Sequence, residues 1–194
     1  DFTGRTEKTR NLRGFLQLCK KKRLWVIIRP GPYIYSECPN DGVPDYAYKY
    51  HRLHPMFIKY ATQYIKKVSA AIKPFQATRA GGHVILLQAD NEIDPWPDRY
   101  GHQYGFAGKA GLFQKFIRDH YANDIDALNQ AWGADYGSFK EAGPYIVHQI
   151  KGDKGLRRHL DYFKFKHYYC AEVAKWVVQA YKNAGITVPI YMNL

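Results

Sequence analysis

Three apolar runs set the terms on which this chain can fold. Leu24-Trp25-Val26-Ile27-Ile28, His83-Val84-Ile85-Leu86-Leu87-Gln88 and Thr187-Val188-Pro189-Ile190-Tyr191-Met192 are apolar almost throughout, with no polar residue at every second position. Short unbroken runs of this kind are strands buried on both faces, as in parallel sheets. The intervening stretches carry the helical period. Leu12, Phe15, Leu16 and Leu18 mark one buried stripe within a helix over residues 6–22. Phe57, Ile58, Ala61, Ile65, Val68 and Ile72 mark another over residues 55–73. Further helices are expected over residues 111–121, 125–132 and 160–184, the last closed by Gly185 as a C-cap. Apolar strands separated by helices predict an α/β fold, a parallel sheet with helices covering it.

Strand–helix units in this order suit a doubly wound sheet or a (β/α)8 barrel. No glycine-rich dinucleotide fingerprint follows either early strand, which argues against a nucleotide-binding sheet. Arg29-Pro30-Gly31-Pro32 is expected to stop the first strand. Polar chemistry gathers at the C-terminal strand ends: Arg29, then Gln88 through Glu92, then Asn193. A barrel builds its active site there. The three strands should therefore be parallel, with Arg29, Glu92 and Asn193 emerging at one end.

Charge raises a competing reading. The net charge is +12, with Arg5, Lys8, Arg10, Arg13 and Lys20-Lys21-Lys22-Arg23 crowded near the start. Nucleic acid is the usual partner of such a patch. Here the basic residues fall on the solvated face and C-terminus of the first helix, where cations are favoured. No zinc-finger spacing, RNA-binding aromatic motif or phosphate-cradling loop accompanies them, so no nucleic-acid partner is expected. No apolar run is long enough to span a membrane, so no membrane partner is expected either. Cys19, Cys38 and Cys170 show neither paired nor metal-like spacing, and Cys19 and Cys170 read as small buried thiols in helices. The 17 tyrosines and 4 tryptophans suit sugar binding, although most belong to core edges and outer helices.

Two stretches narrow the choice. Ile27-Ile28-Arg29-Pro30-Gly31-Pro32-Tyr33-Ile34-Tyr35-Ser36-Glu37 resembles the strand-and-loop signature of family 35 β-galactosidases, commonly RPGPYICAEW. Val84-Ile85-Leu86-Leu87-Gln88-Ala89-Asp90-Asn91-Glu92 resembles that family's second signature, of the form VQVENE. Gly42-Val43-Pro44 matches its GGLP segment, and Asp1-Phe2-Thr3-Gly4-Arg5 is similar to the segment before its second barrel helix. Beyond Trp96 the likeness loosens, and Leu128-Asn129-Gln130-Ala131-Trp132-Gly133 is closer to the LNxAWG element of family 42. Both families share a retaining barrel clan. The chain departs from family 35 at Tyr35-Ser36, where Cys-Ala is usual, at Cys38-Pro39 in place of Trp, and at Asp90 in place of Glu. These departures bear on galactose specificity.

The resemblance implies that residues 1–194 form about half of a (β/α)8 TIM barrel, a partial catalytic domain of a β-galactosidase-like retaining glycoside hydrolase, with another β-glycosidase of the same clan or a non-catalytic sugar-binding barrel fragment as the alternatives. Such an enzyme needs a proton donor for the leaving oxygen and a second carboxylate across the anomeric carbon. Glu92 is the expected general acid/base, at the end of an apolar strand where desolvation can keep a carboxyl protonated. Asn91 offers an amide to the sugar 2-hydroxyl. Glu37 is expected to accept hydrogen bonds from the sugar, with a salt bridge to Arg29 as its alternative. Tyr33, Tyr35, Ser36 and Trp96 complete the expected substrate-binding set, Tyr33 and Trp96 having packing alternatives beneath or beside the loops. Asp94, Asp98 and His102 form no recognisable metal set, and no cofactor is implied. The nucleophile of this clan lies on a later strand, so the expected partners are a carbohydrate substrate and the remainder of the parent barrel.

Overall fold

The structure, a computed structural model, describes residues 2–35, 38–145 and 149–193. The order is α1 (Leu12–Lys21), β1 (Val26–Gly31), α2 (Asp45–Tyr48), α3 (Pro55–Ile72), β2 (Val84–Ala89), α4 (Pro97–Tyr104), α5 (Leu112–His120), α6 (Ile125–Trp132), α7 (Gly152–Asn183) and β3 (Ile190–Tyr191). The chain divides into two compact units, residues 1–93 with 172–194, and residues 94–171.

The first unit holds a parallel sheet of order β1-β2-β3. Ile27 pairs with Leu86, Ile28 with Leu87, Leu87 with Ile190 and Gln88 with Tyr191. The expected parallel strands are present. Their burial differs from expectation, because only one face is covered. Val26, Val84 and Leu87 are buried, with Phe57, Ile65 and Val68 of α3 and Val173 and Val177 of α7 also in the core. Ile27 is 56% exposed and Trp25 69%. Tyr181, buried on α7, donates its hydroxyl to Gly31 O at 2.7 Å and ties the helix to the end of β1.

Several boundaries moved, each for a local reason. Helix α1 starts at Leu12 rather than residue 6 because the Asn11 side chain caps it, accepting from Gly14 N–H at 2.8 Å. Its buried residues are Leu16 and Cys19, whereas Phe15 and Leu18 are exposed. Strand β1 continues through Arg29 and Pro30 to Gly31 instead of stopping at Ile28. Strand β3 is short because its lead-in is pinned elsewhere: the buried Gln76 accepts from Thr187 N–H at 2.6 Å and Val188 N–H at 3.3 Å. Cys19 is buried as expected, but Cys170 is only half-buried.

In the second unit, Tyr104, Phe113, Phe165 and Tyr169 form an aromatic core, with Phe113 and Phe165 centroids 5.3 Å apart. Helix α4 escaped the sequence reading because its buried stripe is made of tyrosines, Tyr100 and Tyr104, yet Pro97 opens it and Gly105, at φ 86, closes it. Helix α7 begins at Gly152, well before residue 160. The buried Asp161 on α7 accepts from Tyr121 Oη at 2.6 Å and Trp132 Nε1 at 2.9 Å, and pairs with Lys164 Nζ at 3.1 Å. Burial alone would raise its carboxyl, but the hydrogen bonds from Trp132, Tyr121 and Lys164, with Arg157, hold it below the usual carboxylate range. Asp161→Asn should cost about 3 kcal/mol by orphaning donors around a buried charge site. A urea denaturation curve with an unchanged midpoint would refute this.

Candidate active site

The ends of β1 and β2 lie side by side, with Asp90 N–H donating to Gly31 O at 3.0 Å. Beyond β2 the chain turns through Asp90, Asn91 and Glu92. Asp90 stands at φ 61 and Glu92 at φ 43, left-handed backbone that side-chain-bearing residues hold only when their surroundings impose it.

Arg52 imposes it. It is 1% exposed. Its Nε donates to Asp90 Oδ2 at 2.9 Å and its Nη2 to Asn91 O at 3.0 Å. Its guanidinium lies 3.9 Å from the Tyr33 ring centroid. Tyr33 N–H donates to the other Asp90 oxygen at 2.9 Å, and the Tyr33 ring stacks on Phe57 at 5.5 Å. Burial pushes the Asp90 carboxyl up, while the Arg52 guanidinium and the N–H groups of Tyr33 and Asn91 pull against it. Tyr35, at φ 54, donates its hydroxyl to Glu92 O at 3.0 Å. Burial raises the Tyr35 hydroxyl, opposed by its hydrogen bond with Arg52.

A second network fixes Asn91. Its Oδ1 accepts from Arg29 Nη1 at 3.1 Å, Gln88 Nε2 at 3.0 Å and Asn193 Nδ2 at 3.0 Å. Asn193 Oδ1 takes Gln88 Nε2 at 2.8 Å and Glu92 N–H at 3.3 Å. Tyr191 Oη donates to Gln88 Oε1 at 3.1 Å. The three strands thus meet in one polar lattice, with Arg29, Asn91, Glu92 and Asn193 at one end.

The expected site residues divide accordingly. Asn91, Glu92, Tyr33 and Tyr35 come together. Tyr33 is fully buried, packed beneath the turn. Glu92 is exposed, so the desolvation expected around its carboxyl is not supplied by the described residues. Ser36 and Glu37 lie outside the described residues. Trp96 belongs to the second unit, where its ring stacks on Tyr100 at 6.2 Å with Arg99 over it at 5.1 Å. Arg52 was missed. Among the described residues no group of three His, Cys, Asp or Glu side chains could hold a metal.

His51, beside Arg52, is 6% exposed, and its Nδ1 accepts from Leu53 N–H at 3.2 Å. Burial, with His54 nearby, pushes its pKa from 6.5 down to about 4. The folded ring is therefore neutral, and an unfolded chain takes up the proton first as pH falls. This contribution to stability is whole above pH 6.5 and is lost progressively down to about pH 4. Roughly 3 kcal/mol is at stake over that window. Denaturant unfolding followed across it should show the slope in wild type and a flatter one in His51→Asn.

Comparisons with known proteins bear on this site. The sequence model of glycosyl hydrolases family 35 matches residues 1–142, a span that includes Leu128–Gly133. An exo-β-D-glucosaminidase of Pyrococcus horikoshii is 26% identical over 98% of this chain and 27% of its own length. A β-galactosidase-1-like protein of Mus musculus is 34% identical over 57% of this chain and 18% of its own. The crystal structure of an agarase superposes with a TM-score of 0.59 at 18% identity, covering 94% of this chain and 26% of that one. The chain thus spans about a quarter of the length of such relatives. By its sequence match across both strand-end signatures, the chain belongs to family 35 of the glycosyl hydrolases.

Proposed function

We propose that residues 1–194 are part of a (β/α)8 catalytic barrel and contribute the general acid/base, Glu92, of a retaining β-glycosidase acting on terminal sugars, with the nucleophile on the remainder of the barrel. The observation that carries the reading is the clamped Asp90–Glu92 turn at the C-terminal end of β2. Buried Arg52 and Asn193 hold its backbone from two sides, while the Glu92 side chain stays open. A catalytic carboxyl needs a fixed origin and access to substrate. The exposed sheet face at Ile27 fits an interior that further strands would line.

In this reading Asn91 meets the sugar 2-hydroxyl, Glu37 and Ser36 bind other hydroxyls, and Tyr35 steadies Glu92 by its bond to that residue's carbonyl. Tyr33 acts from beneath through Arg52 and Asp90, and Trp96 is a stacking surface for sugar. The relatives are named for a glucosaminidase and a β-galactosidase-like protein, which supports a β-glycosidase and leaves other sugars of the same clan as the alternative to galactose. Retention is testable directly. Proton NMR of the first-formed product of the complete barrel should show the β anomer, and prompt release of the α anomer would sink the mechanism.

A further inference from the structure

The first unit holds a cavity of about 130 Å3 whose walls include none of Arg52, Asp90, Asn91 and Glu92. One face of α3 builds it. Phe57, Tyr60, Ala61 and Tyr64 recur at helical spacing along that wall, and small Ala61 leaves the space between larger rings. Val43 and, from α2, Tyr46 complete it. Val43, Phe57 and Ala61 are buried, whereas Tyr46 is 57% exposed and stands where the cavity meets solvent.

The walls are held in place without a ligand. Phe57 packs against Tyr33, stacked at 5.5 Å, and against Trp176, edge-on at 6.2 Å. Tyr46 meets Tyr60 edge-on at 4.9 Å. Tyr64 spends its hydroxyl on Pro30 O at 2.6 Å. The hydroxyls of Tyr46 and Tyr60 make no hydrogen bond among the described residues. No described side chain lining the cavity carries a charge.

Size and lining narrow what fits. An apolar cavity of roughly 150 Å3 takes a benzene-sized ring. A sugar ring of similar girth carries hydroxyls around its whole rim, and these walls answer few of them, so its desolvation goes uncompensated. A charged ring meets no counter-charge. We infer that this cavity is a binding site for a neutral, single-ring phenol, its ring against Phe57 and Ala61 and its hydroxyl at those of Tyr46 and Tyr60. The inference stands apart from the glycosidase reading, because binding is measured without turnover.

The test measures binding of phenol and toluene to the complete barrel by titration calorimetry, two probes of similar size that differ in the hydroxyl. Phenol should bind with a Kd of about 1 mM or tighter, well inside the affinity ceiling for a ligand of so few atoms. Ala61→Phe places a ring in the space and should weaken phenol by about 10-fold or more. Tyr46→Phe combined with Tyr60→Phe keeps the walls and removes both free hydroxyls. Phenol should then weaken by about 3-fold to 10-fold, the scale of one hydrogen bond, while toluene is unmoved. No phenol binding at about ten times the expected Kd overturns the inference, as does phenol binding that Ala61→Phe leaves intact. If Ala61→Phe does not fold, the double variant decides: equal change for phenol and toluene removes the phenol assignment. Two competitors exclude other occupants. Displacement of phenol by glucose would make this a sugar site, and N-acetyltyrosinamide binding about 10-fold tighter than phenol would make it a seat for a partner protein's tyrosine; either result overturns the free phenol.

Discussion

Glu92→Gln in the complete barrel should lower kcat/KM by about 1,000-fold on glycosides with poor leaving groups, within the range for loss of a positioned general acid. Activated aryl glycosides should lose far less in the first step, since their departure needs little protonation. The second step then limits, because glutamine cannot deprotonate the attacking water, and the covalent intermediate accumulates. Azide should restore turnover on activated substrates, as a small anion attacks without base assistance. The alkaline limb of the pH profile reports the acid and should flatten. Equal losses on both substrate types, no azide rescue and an unaltered profile together would show that Glu92 donates no proton.

That experiment separates chemistry from geometry, a distinction the turn itself requires. The Glu92 backbone is held by Tyr35 Oη on its carbonyl and Asn193 on its N–H, and neither contact involves the carboxyl. Glu92→Gln leaves both in place. Losses in this variant therefore belong to the carboxyl rather than to a displaced turn.

The sheet was legible because its signal is local: unbroken apolar runs, helical periods between them, polar residues at the ends. The parallel pairing of β1 with β2 and β2 with β3 follows from that pattern, whereas the register that sets Ile27 against Leu86 and Leu87 against Ile190 does not. What a run cannot reveal is whether both faces are covered, and Ile27 and Trp25 are open here. Helix α4 was overlooked although Pro97 and Gly105 marked its ends, because its buried face rests on Tyr100 and Tyr104 rather than on aliphatic residues. Of the candidate site, the gathering of Asn91, Glu92 and Asn193 at one end of the strands was legible, because they directly follow the apolar runs. Arg52 was not. It lies in His51-Arg52-Leu53-His54, a polar stretch that reads as a solvated helix lead-in. Its burial is decided by Asp90 and Tyr33, distant in sequence. One clue existed: an acidic residue at position 90, directly after an apolar strand, needs a cation if it is to be enclosed. Asp161 was hidden the same way, within an amphipathic pattern where a charge reads as outward-facing.

Arg52 also carries the largest expected effect on stability. Arg52→Met keeps much of the volume over Tyr33 but leaves Asp90 enclosed without its cation, and breaking a buried pair from one side costs about 3–5 kcal/mol. Asp90 is already pushed up by burial, and losing the guanidinium removes a main force holding it down. The variant should respond by binding a proton. A carboxyl raised in the folded state gives stability that is whole below its unfolded pKa and is lost as pH rises, so Arg52→Met should weaken progressively from acid toward neutral pH. Adding Asp90→Asn removes the stranded charge and should recover most of the loss, because replacing both partners is far milder than removing one. Activity should not recover with it. Arg52 Nη2 also holds the Asn91 carbonyl at 3.0 Å, and neither methionine nor asparagine replaces that bond. The double variant should therefore be stable yet slow, with kcat reduced about 10-fold or more through a loosened turn. Denaturant unfolding across pH and steady-state kinetics on the same preparations distinguish the outcomes. Full recovery of kcat in the double variant would make Arg52 a structural residue alone, and an unchanged unfolding midpoint in Arg52→Met would remove the pair from the account of this fold.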